Sequence, residues 1–325
     1  MKSEILAALR EAKEYVSGQE LCRHLGVSRT AVWKTIQKLK EEGYRIEAIP
    51  NKGYRLADDS DVLNERELAC FRKTAWVGET IVYYPVTDST NIQAKRLAEE
   101  GAPHGTLIVA GRQEAGRGRR GRYWESPEKE GIFMTVLLRP DFSPGKASML
   151  TIVAAMAVAK ALRTYSDVSA EIKWPNDIVL NGKKICGILT EMDTEIDSIN
   201  YVVIGIGINV SNQKFGEDAA AVATSIVMES GKRIQRTKLI HAVWEQFEIY
   251  YDKFCAAKDL SEIKEEYNGY LVNRNRQVRI IDPKEPFTGV AKGITDTGEL
   301  MVETEDGIKL VSSGEVSVRG IYGYV

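Results

Sequence analysis

Apolar positions recur every three or four residues at the start of the chain, and the period then drops to two. In "SEILAALREAKEY", Ile5, Leu6, Leu9 and Ala12 fall on one face of a helix. Ser17-Gly18 breaks that helix. Leu21 and Leu25 face inward on a second, short one, and Gly26 ends it. Ser28 suits the N-cap of a third helix, in which Val32, Ile36 and Leu39 keep the apolar spacing. Tyr44, Ile46 and Ala48 then alternate, and Asn51-Lys52-Gly53 can turn the chain back into Tyr54-Arg55-Leu56 as a hairpin.

Past residue 62, strand-like and helix-like segments alternate, from "TIVYYPV" and "NIQAKRLAEEG" through "GIFMTVLLRP" to "INYVVIGIGINV". That order predicts a mixed α/β body over 63–270. The most apolar stretch, "MLTIVAAMAVAKAL", meets Lys160 well short of the ~20 apolar residues that a bilayer span requires, and it reads as a buried helix. From residue 271 onward short strands are joined by turns at "DTG" and "EDG", which predicts a small β domain of SH3-like size over 271–325. The expected fold class is therefore α+β and multidomain, in agreement with a length of 325 residues.

Charge changes the picture locally. The whole chain carries a net charge of −2, which argues against a protein wholly devoted to coating nucleic acid. Between Leu21 and Leu56, however, eight bases face three acids. Helix, tight turn, helix and hairpin with that surplus resemble a winged helix-turn-helix DNA-binding domain, placed at 1–62. Ser28, Arg29, Thr30 and Lys34 lie near the start of the recognition helix, and Lys52 and Arg55 lie on the wing. These six are the candidate DNA contacts. Cys22, Cys70, Cys186 and Cys255 are far apart and form no C-x-x-C pair, so reduced thiols in the cytoplasm are expected. No Cys/His cluster has metal spacing, and the charged N-terminal stretch has no signal-peptide core. No membrane association is expected.

The candidate chemistry gathers at strand ends. "DSTN" (Asp88 to Asn91) follows a strand, and Asp88 or Ser89 can simply cap the next helix. "GRGRRGR" (116–122) places Arg117, Arg119, Arg120 and Arg122 on glycine-rich backbone. Such a stretch can close over an anion, since glycine lets backbone N–H groups approach closely. "KWPND" (Lys173 to Asp177) sets two polar side chains after a rigid turn. Asn181-Gly182 is a two-residue hairpin signal, so Lys183 and Lys184 should point to opposite faces of the following strand, only one of them toward a site. "GIGIN" (Gly205 to Asn209) is a strand whose small residues permit close approach. It is not a Rossmann fingerprint, since no third Gly follows at the required spacing, and no Walker A loop occurs in the chain.

In register, "DSTN", the arginine loop running on to Trp124, "KWPND", "KICGIL" and "GIGIN" resemble the biotin–protein ligase family. With the winged helix, the chain resembles its bifunctional bacterial branch: biotin–[acetyl-CoA-carboxylase] ligases that also repress the biotin operon. The resemblance implies two steps: biotin and ATP form biotinyl-5′-AMP, and a lysine of the biotin carboxyl carrier protein then displaces AMP. It implies that Ser89, Thr90, Asn91, Gln113, Gly187, Gly205 and Gly207 hold biotin. Gly116, Arg117, Gly118 and Arg119 would wrap its carboxylate and the adenylate phosphate. Arg122, Trp124, Asn176 and Asn209 would serve the nucleotide, with Trp124 on adenine. Lys184, Arg119 and Asp177 would be catalytic, Lys184 being the lysine that faces the site. Mg²⁺ would accompany ATP, with Asn176 and Asp177 as candidate contacts. Operator DNA, the carrier protein and a homodimer promoted by biotinyl-5′-AMP are the implied partners. The chain departs from many relatives at Cys186, where they carry Ala, which puts the neighbouring wall in doubt. The rival readings are a lipoate-type ligase, a ligand-sensing repressor without ligase activity, and an RNA-binding protein using the arginine run.

Overall fold

The computed structural model describes residues 1–12, 14–57, 61–282, 285–314, 317–320 and 323–325. Two compact units emerge from the contacts: Met1–Leu63 with Gln235–Thr237, and Asn64–Ile234 with Lys238–Val325.

The first unit contains α1 (Lys2–Glu11), α2 (Gly18–Leu25), α3 (Arg29–Glu41), β1 (Ile46–Ile49) and β2 (Gly53–Leu56). Its helix ends follow local chemistry. Ser17 Oγ accepts from Glu20 N at 3.1 Å, Gly26 closes α2 at φ 67°, and Ser28 Oγ accepts from Ala31 N at 3.3 Å. Ile5, Leu6, Leu9, Leu21, Val32, Ile36 and Leu39 form one core, joined by Tyr44 and Ile46. Strands β1 and β2 pair antiparallel, from Ile46 opposite Leu56 to Ile49 opposite Gly53. Gly53 has φ 118°, and a Cβ there would lie 2.0 Å from Val16 O, so the wing can turn only on glycine. Ala48, expected inside by alternation, is exposed, because burial along β1 ends at Ile46. Ser28, Arg29, Thr30, Lys34, Lys52 and Arg55 are all exposed. Arg55 is tied back to Glu47 on the neighbouring strand at 2.9 Å, whereas Ser28 is engaged as the α3 cap.

The second unit opens with α4 (Glu65–Cys70) and is built on a seven-stranded sheet. Its strands are β3 (Ile81–Tyr84), β4 (Leu107–Ala110), β5 (Gly131–Leu138), β6 (Glu171–Lys173), β7 (Asp177–Leu180), β8 (Lys183–Thr194) and β9 (Ile199–Asn209). They lie in the order β3-β4-β5-β9-β8-β7-β6, with only the β3–β4 pair parallel. Helices α5 (Thr90–Glu99), α6 (Met149–Ser166), α7 (Glu217–Ala220), α8 (Ile226–Ser230), α9 (Arg236–Ala257) and α10 (Lys264–Tyr270) accompany the sheet, the first two residues of α9 counting with the first unit. All eight positions of β5 are buried, which explains an apolar run where a half-exposed strand would alternate. The segment Pro144–Ser166 is long and apolar enough to cross a bilayer, but 72% of its most apolar 18-residue stretch is buried inside the protein, as expected of a core helix.

A second, five-stranded antiparallel sheet follows: β10 (Gln277–Ile281), β11 (Phe287–Ile294), β12 (Leu300–Thr304), β13 (Gly307–Val311) and β14 (Ser317–Gly320), in the order β13-β12-β11-β10-β14. Val278, Ile280, Ala291, Leu300, Val302 and Val318 are buried there. Contacts join these strands to the second unit without setting residues 271–325 apart.

Candidate active site

A cavity of about 910 Å³ in the second unit is lined from the start of α5, the arginine loop, the turn between β6 and β7, strands β8 and β9, and β14. At the start of α5 the structure divides the labour between two capable residues. Asp88 Oδ1 accepts from Ser89 N at 2.6 Å and from Gln93 Nε2 at 2.9 Å. Ser89 sits at the N-cap position, yet its side chain makes no cap bond and lines the cavity.

The next residues form a buried polar floor. Thr90 donates through N and Oγ1 to Gln113 Oε1, at 2.8 and 3.1 Å, and Gln113 Nε2 donates to Ser126 Oγ at 2.9 Å. Thr135 Oγ1 lies 2.8 Å from Thr90 Oγ1 and 2.7 Å from Asn91 Oδ1. Asn91 Nδ2 donates to Glu191 Oε2 at 2.8 Å. Such a network holds its donors and acceptors in fixed directions. The glycines of β8 and β9 make room for side chains of the same unit. A Cβ on Gly205 would lie 2.1 Å from Asn91 Oδ1. Gly187 and Gly207 are paired across β8 and β9, and Cβ atoms there would lie 2.9 and 2.6 Å from the Trp124 indole. Trp124 Nε1 is buried and has no hydrogen-bond partner, a donor whose desolvation is uncompensated.

The arginine loop is a hairpin bonded to itself. Gly118 N donates to Arg122 O at 2.7 Å, and Trp124 N donates to Gly116 O at 2.9 Å. Between them Arg119–Gly121 forms a tight turn, with Arg120 at φ 57°. Gly116 is required, because a Cβ would lie 2.3 Å from Trp124 O. Arg119 reaches inward: its Nη1 donates to Asn176 Oδ1 at 2.8 Å and its Nη2 to Gly314 O. Arg117 stands 3.7 Å from Glu191, which also binds Lys95 at 2.7 Å. Arg120 and Arg122 are exposed at the cavity's edge.

The charged centre lies at the start of β7. Asp177 is 9% exposed. Lys184 Nζ lies 2.6 Å from its Oδ1, and the Tyr324 hydroxyl donates to its Oδ2. Burial pushes the Asp177 carboxyl up, but Lys184 and Lys173 outweigh it and hold the group below the usual carboxylate range. Lys183 points to the other face, exposed and 3.5 Å from Glu229, as period-two alternation requires. Asn209 Nδ2 donates to Thr224 O at 3.1 Å on the cavity wall. Cys186 is buried and does not line the cavity, so the wall is unaffected by it.

Asn176 and Asp177, the candidate contacts for the Mg²⁺ of ATP, are both bonded within the protein. Both Asp177 oxygens are engaged by Lys184 and Tyr324, and Asn176 spends its Oδ1 on Arg119 and its Nδ2 on Ile188 O. No metal-holding group of three His, Cys, Asp or Glu occurs among the described residues. Sequence reasoning missed Thr135, Glu191, Lys173, Arg319 and Tyr324 as site residues. Lys173 belongs to "KWPND" and was within reach of a motif argument. The others carry no local signal, and Tyr324 is 147 residues from Asp177.

Comparison with known proteins gives the same frame. Residues 83–209 match the biotin/lipoate A/B protein ligase family, residues 2–55 an HTH domain, and residues 275–319 the biotin protein ligase C terminal domain. The bifunctional ligase/repressor BirA of Bacillus spizizenii is 40% identical over 98% of each chain. That of Escherichia coli K12 is 31% identical over 97% of this chain and 96% of its own. Among solved structures, the biotin protein ligase of Aquifex aeolicus in complex with biotin and ATP superposes with a TM-score of 0.66 at 30% identity, covering 74% of this chain and 99% of that one.

Proposed function

The chain belongs to the bifunctional ligase/repressor family, and from that premise we propose how its residues divide the work. It is an ATP-dependent biotin–protein ligase and a DNA-binding repressor. The observation that carries the ligase assignment is the Lys184–Asp177 pair, 2.6 Å apart, in a cavity shared with the arginine loop and the Thr90–Gln113 floor.

In the first step a biotin carboxylate oxygen attacks the α-phosphorus of ATP, the bond to the β-phosphate breaks, and pyrophosphate leaves. Two anions must meet, so fixed positive charge is the largest contribution the protein can make. Arg117, Arg119, Arg122 and Lys184 supply it. Ser89, Thr90, Asn91 and Gln113 orient the ureido ring, and Gly187, Gly205 and Gly207 leave the floor low. The Trp124 indole stacks on adenine, and Asn176 and Asn209 stand at the nucleotide. In the second step the carrier lysine's amine attacks the acyl carbon and AMP departs. The attacking amine has lost its proton to solvent, and Asp177, kept ionised by its lysines, holds Lys184 at the reacting oxygens. Magnesium travels with the phosphates of ATP, and no step runs through a metal held by the protein.

The acceptor is the biotin carboxyl carrier protein of acetyl-CoA carboxylase. In its second role the chain binds operator DNA through α3 and the wing as a homodimer that biotinyl-5′-AMP promotes. Both partners place it in the cytoplasm. The test is mass spectrometry of a carrier domain after incubation with the protein, ATP, Mg²⁺ and either biotin or lipoate. A biotin-sized mass gain on one lysine is expected. Gain with lipoate alone would move the chain to the lipoate branch, and no gain with either would leave a ligand-sensing repressor.

A further inference from the structure

Tyr324 has no part in the chemistry assigned to Lys184 and Asp177, yet it is built into their site. Its hydroxyl donates to Asp177 Oδ2 while Lys184 takes Oδ1. Its ring stands under two cations: Lys173 Nζ is 4.0 Å and the Arg319 guanidinium 4.8 Å from the ring centroid. Close by, a Cβ on Gly320 would lie 1.8 Å from Val325 O, and Gly320 and Gly323 bridge to each other. Tyr324, Lys173, Arg319, Asp177 and Lys184 all line the same cavity.

Resting on the ligase reading, we propose that Tyr324 is a positioning residue for adenylate formation. Its hydroxyl fixes the Asp177 carboxylate, so that Lys184 stays aimed into the cavity, and its ring holds Lys173 and Arg319 there without neutralising them. The physics separates the two parts. A carboxylate near two lysines, with one oxygen uncapped, would turn to bridge both and draw Lys184 away from the reacting oxygens. The phenol caps that oxygen with a hydrogen bond to a charged group. Burial and the adjacent Asp177 charge push the Tyr324 phenol far up, which keeps it a donor. The ring attracts cations through its quadrupole, with no formal charge to cancel theirs. The cavity therefore keeps the positive potential that a triphosphate needs.

The experiment compares the full chain with Tyr324→Phe and Tyr324→Leu by biotin-dependent ATP–pyrophosphate exchange, fitting kcat and both KM values, alongside thermal unfolding. Tyr324→Phe keeps the ring and loses the hydroxyl. It is expected to lower kcat roughly tenfold, with KM for ATP within about twofold of the parent. Tyr324→Leu removes the ring as well and is expected also to raise KM for ATP several-fold, with KM for biotin unchanged in both. A kcat for Tyr324→Phe equal to the parent's would overturn the proposal. So would matching kinetics for Phe and Leu with a shared fall in Tm, the signature of a purely structural side chain. A parent chain without biotin-dependent exchange would instead overturn the ligase reading beneath it, and that outcome is read before any variant is compared.

Discussion

Two adjacent lysines of one strand show how much a single side chain's direction decides. Lys184 lies 2.6 Å from a buried carboxylate, whereas Lys183 is exposed beside Glu229 at 3.5 Å. Removing a preorganised cation from the centre of charge development costs about 10²–10³ in rate. An exposed ion pair contributes little. Lys184→Ala should therefore slow single-turnover adenylate formation by about that factor, with Lys183→Ala within about threefold of the parent. The opposite ranking would reverse the facing of the strand. Lys173 tests burial itself. It is 4% exposed, and burial pulls its ammonium down to about 8. The folded value is thus below the unfolded one of about 10.4. Above pH 8 the native chain releases this proton first, the unfolded chain binds more, and stability rises with pH until about 10.5. Below pH 8 the full cost of a buried ammonium is present. Lys173→Met should then stabilise the fold at pH 7 by up to about 3 kcal/mol. That advantage should shrink between pH 8 and 10.5, as followed by urea unfolding midpoints of parent and variant. An advantage independent of pH would show that desolvation is not its source.

Strands β8 and β9 form the floor of the site because they carry glycine where neighbours must come close. Gly205→Ala puts a Cβ 2.1 Å from Asn91 Oδ1, and that amide is committed to Thr135 and Glu191. It cannot move without leaving buried polar groups unmade, at about 1–3 kcal/mol each. The variant should bind biotin at least tenfold more weakly by calorimetry and unfold at lower temperature. Unchanged affinity would mean that Asn91 can be displaced without loss. Elements of this kind also mark what was legible in the chain. Gly26, Ser28 and the Asn181-Gly182 turn act within a few residues of themselves, so their roles follow from local chemistry. The facing of Lys184 follows from the same turn and a period of two. Asp88 and Ser89 were not separable, since both can cap a helix. What divides them is Gln93 on one side and the cavity on the other. The space over Gly207 was legible as space, but not as the seat of Trp124. Ala48 misled because alternation reports a strand and not how far the core beneath it extends. Arg319 and Tyr324 were illegible because only the tertiary fold brings Tyr324 to Asp177 and Arg319 to the cavity.

For the molecule as a whole, the ligase chemistry and the repressor surface belong to different compact units, and the proposed function requires that one inform the other. The exposed cations among the candidate DNA contacts, Arg29 and Lys34 on α3 and Lys52 and Arg55 at the wing, form a small footprint. A single unit making a few phosphate contacts binds weakly at physiological salt, because counterion release is modest. Twofold pairing doubles that footprint and matches a palindromic operator. The adenylate, formed in the second unit, then controls transcription only if it binds the dimer better than the monomer. Linkage fixes the size: the free energy by which adenylate favours dimerisation equals that by which the dimer favours adenylate. Couplings of this kind usually amount to about 5–150-fold. With biotin and ATP both present, the dimerisation constant from sedimentation should therefore tighten by a factor in that range, and operator affinity from fluorescence anisotropy should rise with it. Biotin alone or ATP alone should do less, since neither completes the mixed anhydride. The salt slope of log affinity should steepen in step, as twice as many phosphate contacts release their counterions. Tighter operator binding with an unchanged dimerisation constant would mean that the adenylate acts on each protomer separately, and the dimer would then have no part in the switch.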